Sequence, residues 1–145
     1  MQPYPHHYVV RASGSGSGLI GLRSNGLPDL ASAAPAEFDG PGDQWSPETL
    51  LCAAVADCLL LTWRAVSRAS RYEWTAIDCE VSGELDRVEG VARFVAFTTK
   101  VTLSVAAGAD AERARALLEK SERACLITNS LNARHTLDIR IVAAA

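Results

Sequence analysis

Between Leu50 and Leu61 every side chain except Asp57 is apolar. Ser46-Pro47-Glu48 just upstream is a helix start, with a serine N-cap, a proline at the first helical position and a carboxylate in the first turn. The pair predicts a helix running to about Ala69. Its first half, apolar on all faces, has no side to give to water and is expected to be buried all round. A chain of 145 residues can bury one good core but cannot easily wrap a helix completely. A second copy is the natural cover, so a homodimer is expected. The apolar run falls short of the about 20 residues that cross a bilayer, so no membrane span is expected.

The rest of the chain sorts by period. Tyr8 to Ala12 and Leu19 to Ser24 are short extended segments around a Ser/Gly tract, and Asn25-Gly26 turns the chain into a third, Leu27 to Ala33. These predict a small N-terminal antiparallel sheet, followed by a Gly/Pro/Asp-rich loop over Pro35 to Trp45. Beyond Tyr72 the period becomes two. Ile77, Cys79, Val81 and Leu85 share one parity, and Val91 to Val105 repeats the pattern after Glu89-Gly90, which makes a long β-meander. Asp110 caps an amphipathic helix with the stripe Ala114, Leu118, Ser121 and Cys125. Leu126 to Arg134 reads as a short helix or turn, and His135 to Val142 as a closing strand. The fold class is therefore α+β, in a single domain over residues 1–145.

Composition excludes several partners. The net charge is −3 and Lys and Arg never cluster, so there is no electrostatic footprint for nucleic acid. The amino terminus shows no basic-then-apolar leader pattern, which predicts a cytoplasmic protein. In that reducing compartment four cysteines do not read as a structural disulfide framework. The adjacent His6 and His7 lack metal-ligand spacing, so no metal is expected.

The cysteines divide into two kinds. Cys52 and Cys79 fall on apolar faces and read as core. Six positions separate Cys52 from Cys58, about 9 Å of helix rise on largely different faces, so they do not pair. Cys58 follows Asp57, an ionisable group in an apolar helix, and Cys125 lies at a polar element boundary before Thr128-Asn129-Ser130. Pattern alone leaves both open to two readings, small core hydrophobe or reactive thiol.

The segments that carry these cysteines are more specific. Ser46-Pro47-Glu48-Thr49-Leu50-Leu51 through Ala56-Asp57-Cys58-Leu59-Leu60, and Glu119-Lys120-Ser121-Glu122-Arg123-Ala124-Cys125-Leu126-Ile127-Thr128-Asn129-Ser130-Leu131, resemble the two motifs of the OsmC/Ohr (osmotically inducible protein / organic hydroperoxide resistance) family. The resemblance implies an intertwined homodimer that reduces organic or inorganic hydroperoxides without a cofactor. It implies that Cys58 attacks the peroxide and that Cys125 resolves the resulting sulfenic acid as a disulfide. Glu48 organises the site, and a dithiol reductant, often a lipoyl group, restores the enzyme. Glu48 and Cys58 are ten positions apart, about 15 Å of rise and roughly 80° of rotation on one helix. If both serve one site, Glu48 comes from the partner subunit; otherwise it is a carboxylate at the helix dipole.

Two departures bear on activity. The family's hairpin arginine is expected near Ser17, where none stands; Arg11 and Arg23 are the nearest, and neither matches by register. Leu126 stands where many members carry proline. Without a cation a buried thiol stays mostly protonated at neutral pH, so weak activity is expected. The alternative is a non-catalytic dimer that binds a small apolar ligand beside the central helix, with Trp63 in the pocket wall.

Overall fold

The computed structural model describes residues 1–145. The chain divides into two compact units, residues 1–50 and 51–145.

The first unit holds strands β1 (Arg11–Ser13), β2 (Ile20–Arg23) and β3 (Leu30–Ser32), antiparallel in the order β1-β2-β3. β1 is shorter than the sequence suggests, because Tyr8 to Val10 extend past the end of β2. Arg11 pairs with Arg23, and at Ser24 the chain turns away, closing Leu27 N–H onto the Ser24 carbonyl at 3.1 Å with Gly26 at φ 76°. The expected loop contains a short 3-10 turn, Ala36–Phe38. Buried Ser46 then starts the long helix as expected: its Oγ accepts from Thr49 N–H at 3.2 Å, and Thr49 Oγ1 accepts from Ser46 N–H at 2.9 Å. These reciprocal bonds satisfy two donors that a helix start leaves free.

Helix α1 (Pro47–Ala69) begins in the first unit and continues into the second. It is not buried all round within one chain. Only the row Val55, Leu59, Trp63 and Ser67 is fully covered, while Leu61 is 53% exposed. By length and mean hydropathy, 1.6 over 18 residues, α1 would be long enough to cross a membrane. Its buried row instead forms part of a core: Leu59 and Trp63 pack with Val101, Leu103, Val105 and Leu118.

In the second unit, β4 (Ala76–Val88) and β5 (Val91–Val105) form the long hairpin. Its tip, Glu89-Gly90, has both φ angles positive, 51° and 80°, the two-residue turn whose twist suits paired strands. A β-bulge shifts the register: Glu84 faces Ala96 but Leu85 faces Phe94, leaving Val95 unpaired. Leu85 keeps the parity of Ile77, Cys79 and Val81 along β4, but it is exposed where those three stay half-buried. β6 (Arg134–Ala143) lies beside β5 and parallel to it. The parallel run requires a crossover, supplied by helices α2 (Ala111–Ala124) and α3 (Leu126–Asn129). Asp110 caps α2, its Oδ1 accepting from Arg113 N–H at 2.9 Å.

Candidate active site

Cys125 occupies the single residue between α2 and α3. Its backbone is extended, φ −66° and ψ 108°, which ends one helix and starts the next. Its N–H donates to the Glu122 carbonyl at 3.1 Å, and its own carbonyl accepts from Asn129 N–H at 3.0 Å. These bonds fix the side chain inward, 1% exposed. There the Cys125 thiol neighbours the thiol of Cys58 from α1, near enough for Cys58 to act on its protonation. Both are free thiols.

Three influences act on Cys125. Burial pushes the thiol above its ordinary value of 9.0, the Thr128 hydroxyl and backbone N–H oppose that rise, and the neighbouring Cys58 adds to it. The hydroxyl makes a defined hydrogen bond, Thr128 Oγ1 to Cys125 Sγ at 3.3 Å.

Cys58 opens onto a cavity of about 470 Å³ lined by Ala54, Leu61, Ala65, Leu126 and Ile127, with Asp57 and Thr62 beside it. No Lys, Arg or His lines it. Ala54, Cys58, Leu61 and Ala65 recur at helical spacing, one face of α1 adjacent to the buried row.

Glu48 lines a different cavity, within the first unit, of about 520 Å³, whose walls include Ala12, Ile20, Leu22, Phe38 and Leu50. Its Oε2 is buried and has no hydrogen-bond partner. The strand register explains why no arginine answers it. Arg11 and Arg23 sit directly opposite each other, as do Ala12 and Leu22, and successive residues alternate between faces. Ala12, Leu22 and Ile20 share the face of the Glu48 cavity, so both arginines take the other face. There they line a polar cavity with His7 and Asn25, and Arg23 pairs with Asp29 at 3.0 Å.

The remaining cysteines are core residues. Cys52 packs over Gly83, and burial pushes its thiol up, partly offset by a hydrogen bond from the Gly83 backbone. Cys79 packs against the main cluster, and burial, with the Asp78 carboxylate and Cys125 adding to it, raises its thiol to about 11. Trp63 is 0% exposed, wedged against Tyr72 and Trp74 with ring centroids 6.0 Å away. It lies in the core and lines neither the Cys58 cavity nor the Glu48 cavity.

Two free thiols, half-buried Cys58 and buried Cys125, thus lie where a long apolar helix meets the junction of two others on an α+β scaffold. The chain belongs to the OsmC-like protein family, whose model matches residues 40–140. It is 25% identical over 138 residues, 92% of each chain, to the uncharacterised protein YmaD of Bacillus subtilis. Its fold is similar to that of an OsmC-like protein of unknown function from Vibrio cholerae, with TM-score 0.83, 14% identity and coverage of 93% of this chain and 99% of the other. An organic hydroperoxide resistance protein from Legionella pneumophila is also similar, with TM-score 0.73, 20% identity and coverage of 99% and 100%.

Proposed function

We propose that this chain is a thiol-dependent hydroperoxide reductase acting as a homodimer in the cytoplasm, each subunit a single OsmC/Ohr-like domain. The observation that carries the reading is that Cys58 and Cys125, two free thiols from elements far apart in sequence, are neighbours in the fold. The Cys58 thiolate attacks the distal oxygen of a hydroperoxide, the O–O bond breaks, and the alcohol leaves with a proton. Cys58 is then a sulfenic acid. Cys125 attacks its sulfur, water leaves, and the disulfide that forms is returned to two thiols by a dithiol reductant such as a lipoyl group. Neither a metal nor an organic cofactor takes part.

Two features support the dimer. The α1 face carrying Ala54, Cys58, Leu61 and Ala65 is open in one chain, and Leu126 beside it is 66% exposed. Glu48, too far along α1 to reach Cys58 of its own chain, would serve the partner's thiol, and its unpartnered Oε2 would gain a neighbour there. The absence of a cation around Cys58 supports a slow enzyme.

The test is peroxide consumption. Wild type with dihydrolipoamide should consume cumene hydroperoxide, a monothiol should support it far less, and Cys58→Ser should abolish it. The second reading, a non-catalytic dimer holding a small apolar ligand, is favoured by the apolar, cation-free wall of the Cys58 cavity. It would be upheld if no dithiol supported turnover and an apolar ligand bound there with Cys58 and Cys125 still reduced.

A further inference from the structure

One polar side chain makes a hydrogen bond to Cys125 Sγ, the Thr128 hydroxyl. Helical hydroxyls usually fold back onto the carbonyl four residues earlier, and three in this chain do so: Thr62 donates to the Cys58 carbonyl at 2.7 Å, Ser121 to Leu117 at 2.8 Å and Ser130 to Leu126 at 2.7 Å. Thr128 does not. Its hydroxyl donates to Cys125 Sγ, three residues back, while its carbonyl is held by Leu131 N–H at 3.1 Å. The hydroxyl thus has a fixed aim, and its target is the sulfur beside Cys58. The cavity around Cys58 offers no cation to stabilise a thiolate, so the Thr128 hydroxyl is the side-chain donor with a defined bond to this pair of thiols.

We propose that Thr128 is a positioning residue for both thiol steps. Its hydroxyl holds the Cys125 sulfur beside Cys58 while Cys58 attacks the hydroperoxide, and then supports the Cys125 thiolate as it attacks the sulfenic acid. In the second step Cys125 gives up its thiol proton, the S–S bond forms, the S–O bond of the sulfenic acid breaks, and the oxygen departs as water carrying that proton. A donor that stays on Cys125 throughout stabilises the charge that develops there. The inference rests on the reading of Cys58 and Cys125 as peroxidatic and resolving thiols, and its test has an arm that does not.

Thr128→Val removes the hydroxyl and keeps the shape; Thr128→Ser keeps the hydroxyl. Where valine does not fold, Thr128→Ala removes the same group with less bulk. In single-turnover oxidation by cumene hydroperoxide, Thr128→Val should close the disulfide about tenfold more slowly, as expected for one lost hydrogen bond to a charged group. Its pH for half-maximal closure should move up by about one unit, the same factor expressed as acidity, and a dimedone-reactive Cys58 sulfenic acid should accumulate. Thr128→Ser should restore all three. Closure at the wild-type rate with an unmoved pH profile overturns the proposal. The second arm needs no peroxide: Cys125 is titrated by NMR of isotope-labelled cysteine in Cys58→Ser, with and without Thr128→Val. If wild type proves inert to peroxide, the proposed function fails, and this titration alone decides the Thr128 assignment. A higher Cys125 midpoint in the valine variant, reversed by serine, supports it, and equal midpoints overturn it.

Discussion

Gly83→Ala tests the packing that seats α1 on the long hairpin. A Cβ built at Gly83 would stand 2.7 Å from Phe94 Cε1 and 2.9 Å from Cys52 Sγ, where ordinary contact begins at 3.4 Å. The Phe94 ring must therefore withdraw by about 0.7 Å, yet it is stacked on Phe97 at 5.0 Å, and Phe97 is itself stacked on His135 at 5.4 Å. Retreat of the first ring presses on the second, which is 1% exposed. Overpacking of this kind costs about 1–3 kcal/mol, and replacing a strand glycine returns about 0.5–1 kcal/mol. The expected net loss is about 1–2 kcal/mol, read as a lower urea midpoint at unchanged slope, all variants being compared at one protein concentration. The cause can be isolated: in a Phe94→Ala background, where only the Cys52 contact remains, the same glycine substitution should cost about 1 kcal/mol less, and that difference is the coupling. Equal effects in both backgrounds would refute the argument that the ring sets the size limit at this position.

Four further outcomes follow. Leu118→Ala, at a position 0% exposed in the main cluster, should cost about 2–5 kcal/mol by urea unfolding. Asp110→Ala removes the acceptor for Arg113 N–H and should cost about 1 kcal/mol in the same assay. Cys79 is raised from 9.0 to about 11, so between those values the unfolded chain loses this proton first. Its contribution to stability is complete below pH 9.0 and fades as pH rises through about 11, and Cys79→Ala should flatten that part of the stability profile. If Glu48 serves the partner's thiol, Glu48→Ala and Cys58→Ser proteins, each nearly inactive alone, should recover about a quarter of wild-type sites when unfolded together and refolded as mixed dimers; no recovery would place both residues in one subunit's site.

Much of the architecture was legible because it rests on local rules. The Ser46 cap, the period-two runs over the hairpin and the Asp110 cap each act within a few residues, and the structure has them where the patterns lie. What failed was non-local. The bulge at Val95 depends on the pairing of β5 with β4, and the shortness of β1 depends on where β2 turns away. The parallel direction of β6 is set by the α2–α3 crossover, since alternation is the same in either direction. At the site, motif and position singled out Cys58 and Cys125, but their proximity required the fold. Thr128 was visible only as part of a polar boundary, because a threonine in a short helix carries no signal that its hydroxyl is aimed at a sulfur. The sheet register explains a departure that the sequence could only record: Arg11 and Arg23 were the nearest substitutes for the family arginine, and pleating puts both on the face away from Glu48.

Intact-mass analysis after one equivalent of cumene hydroperoxide tests the central claim most directly. Wild type should lose two hydrogen atoms as a Cys58–Cys125 disulfide, located by peptide mapping. Cys125→Ser should instead gain one oxygen, trapped by dimedone at Cys58, and Cys58→Ser should be unchanged. Recovery of wild type with both thiols reduced would contradict the account.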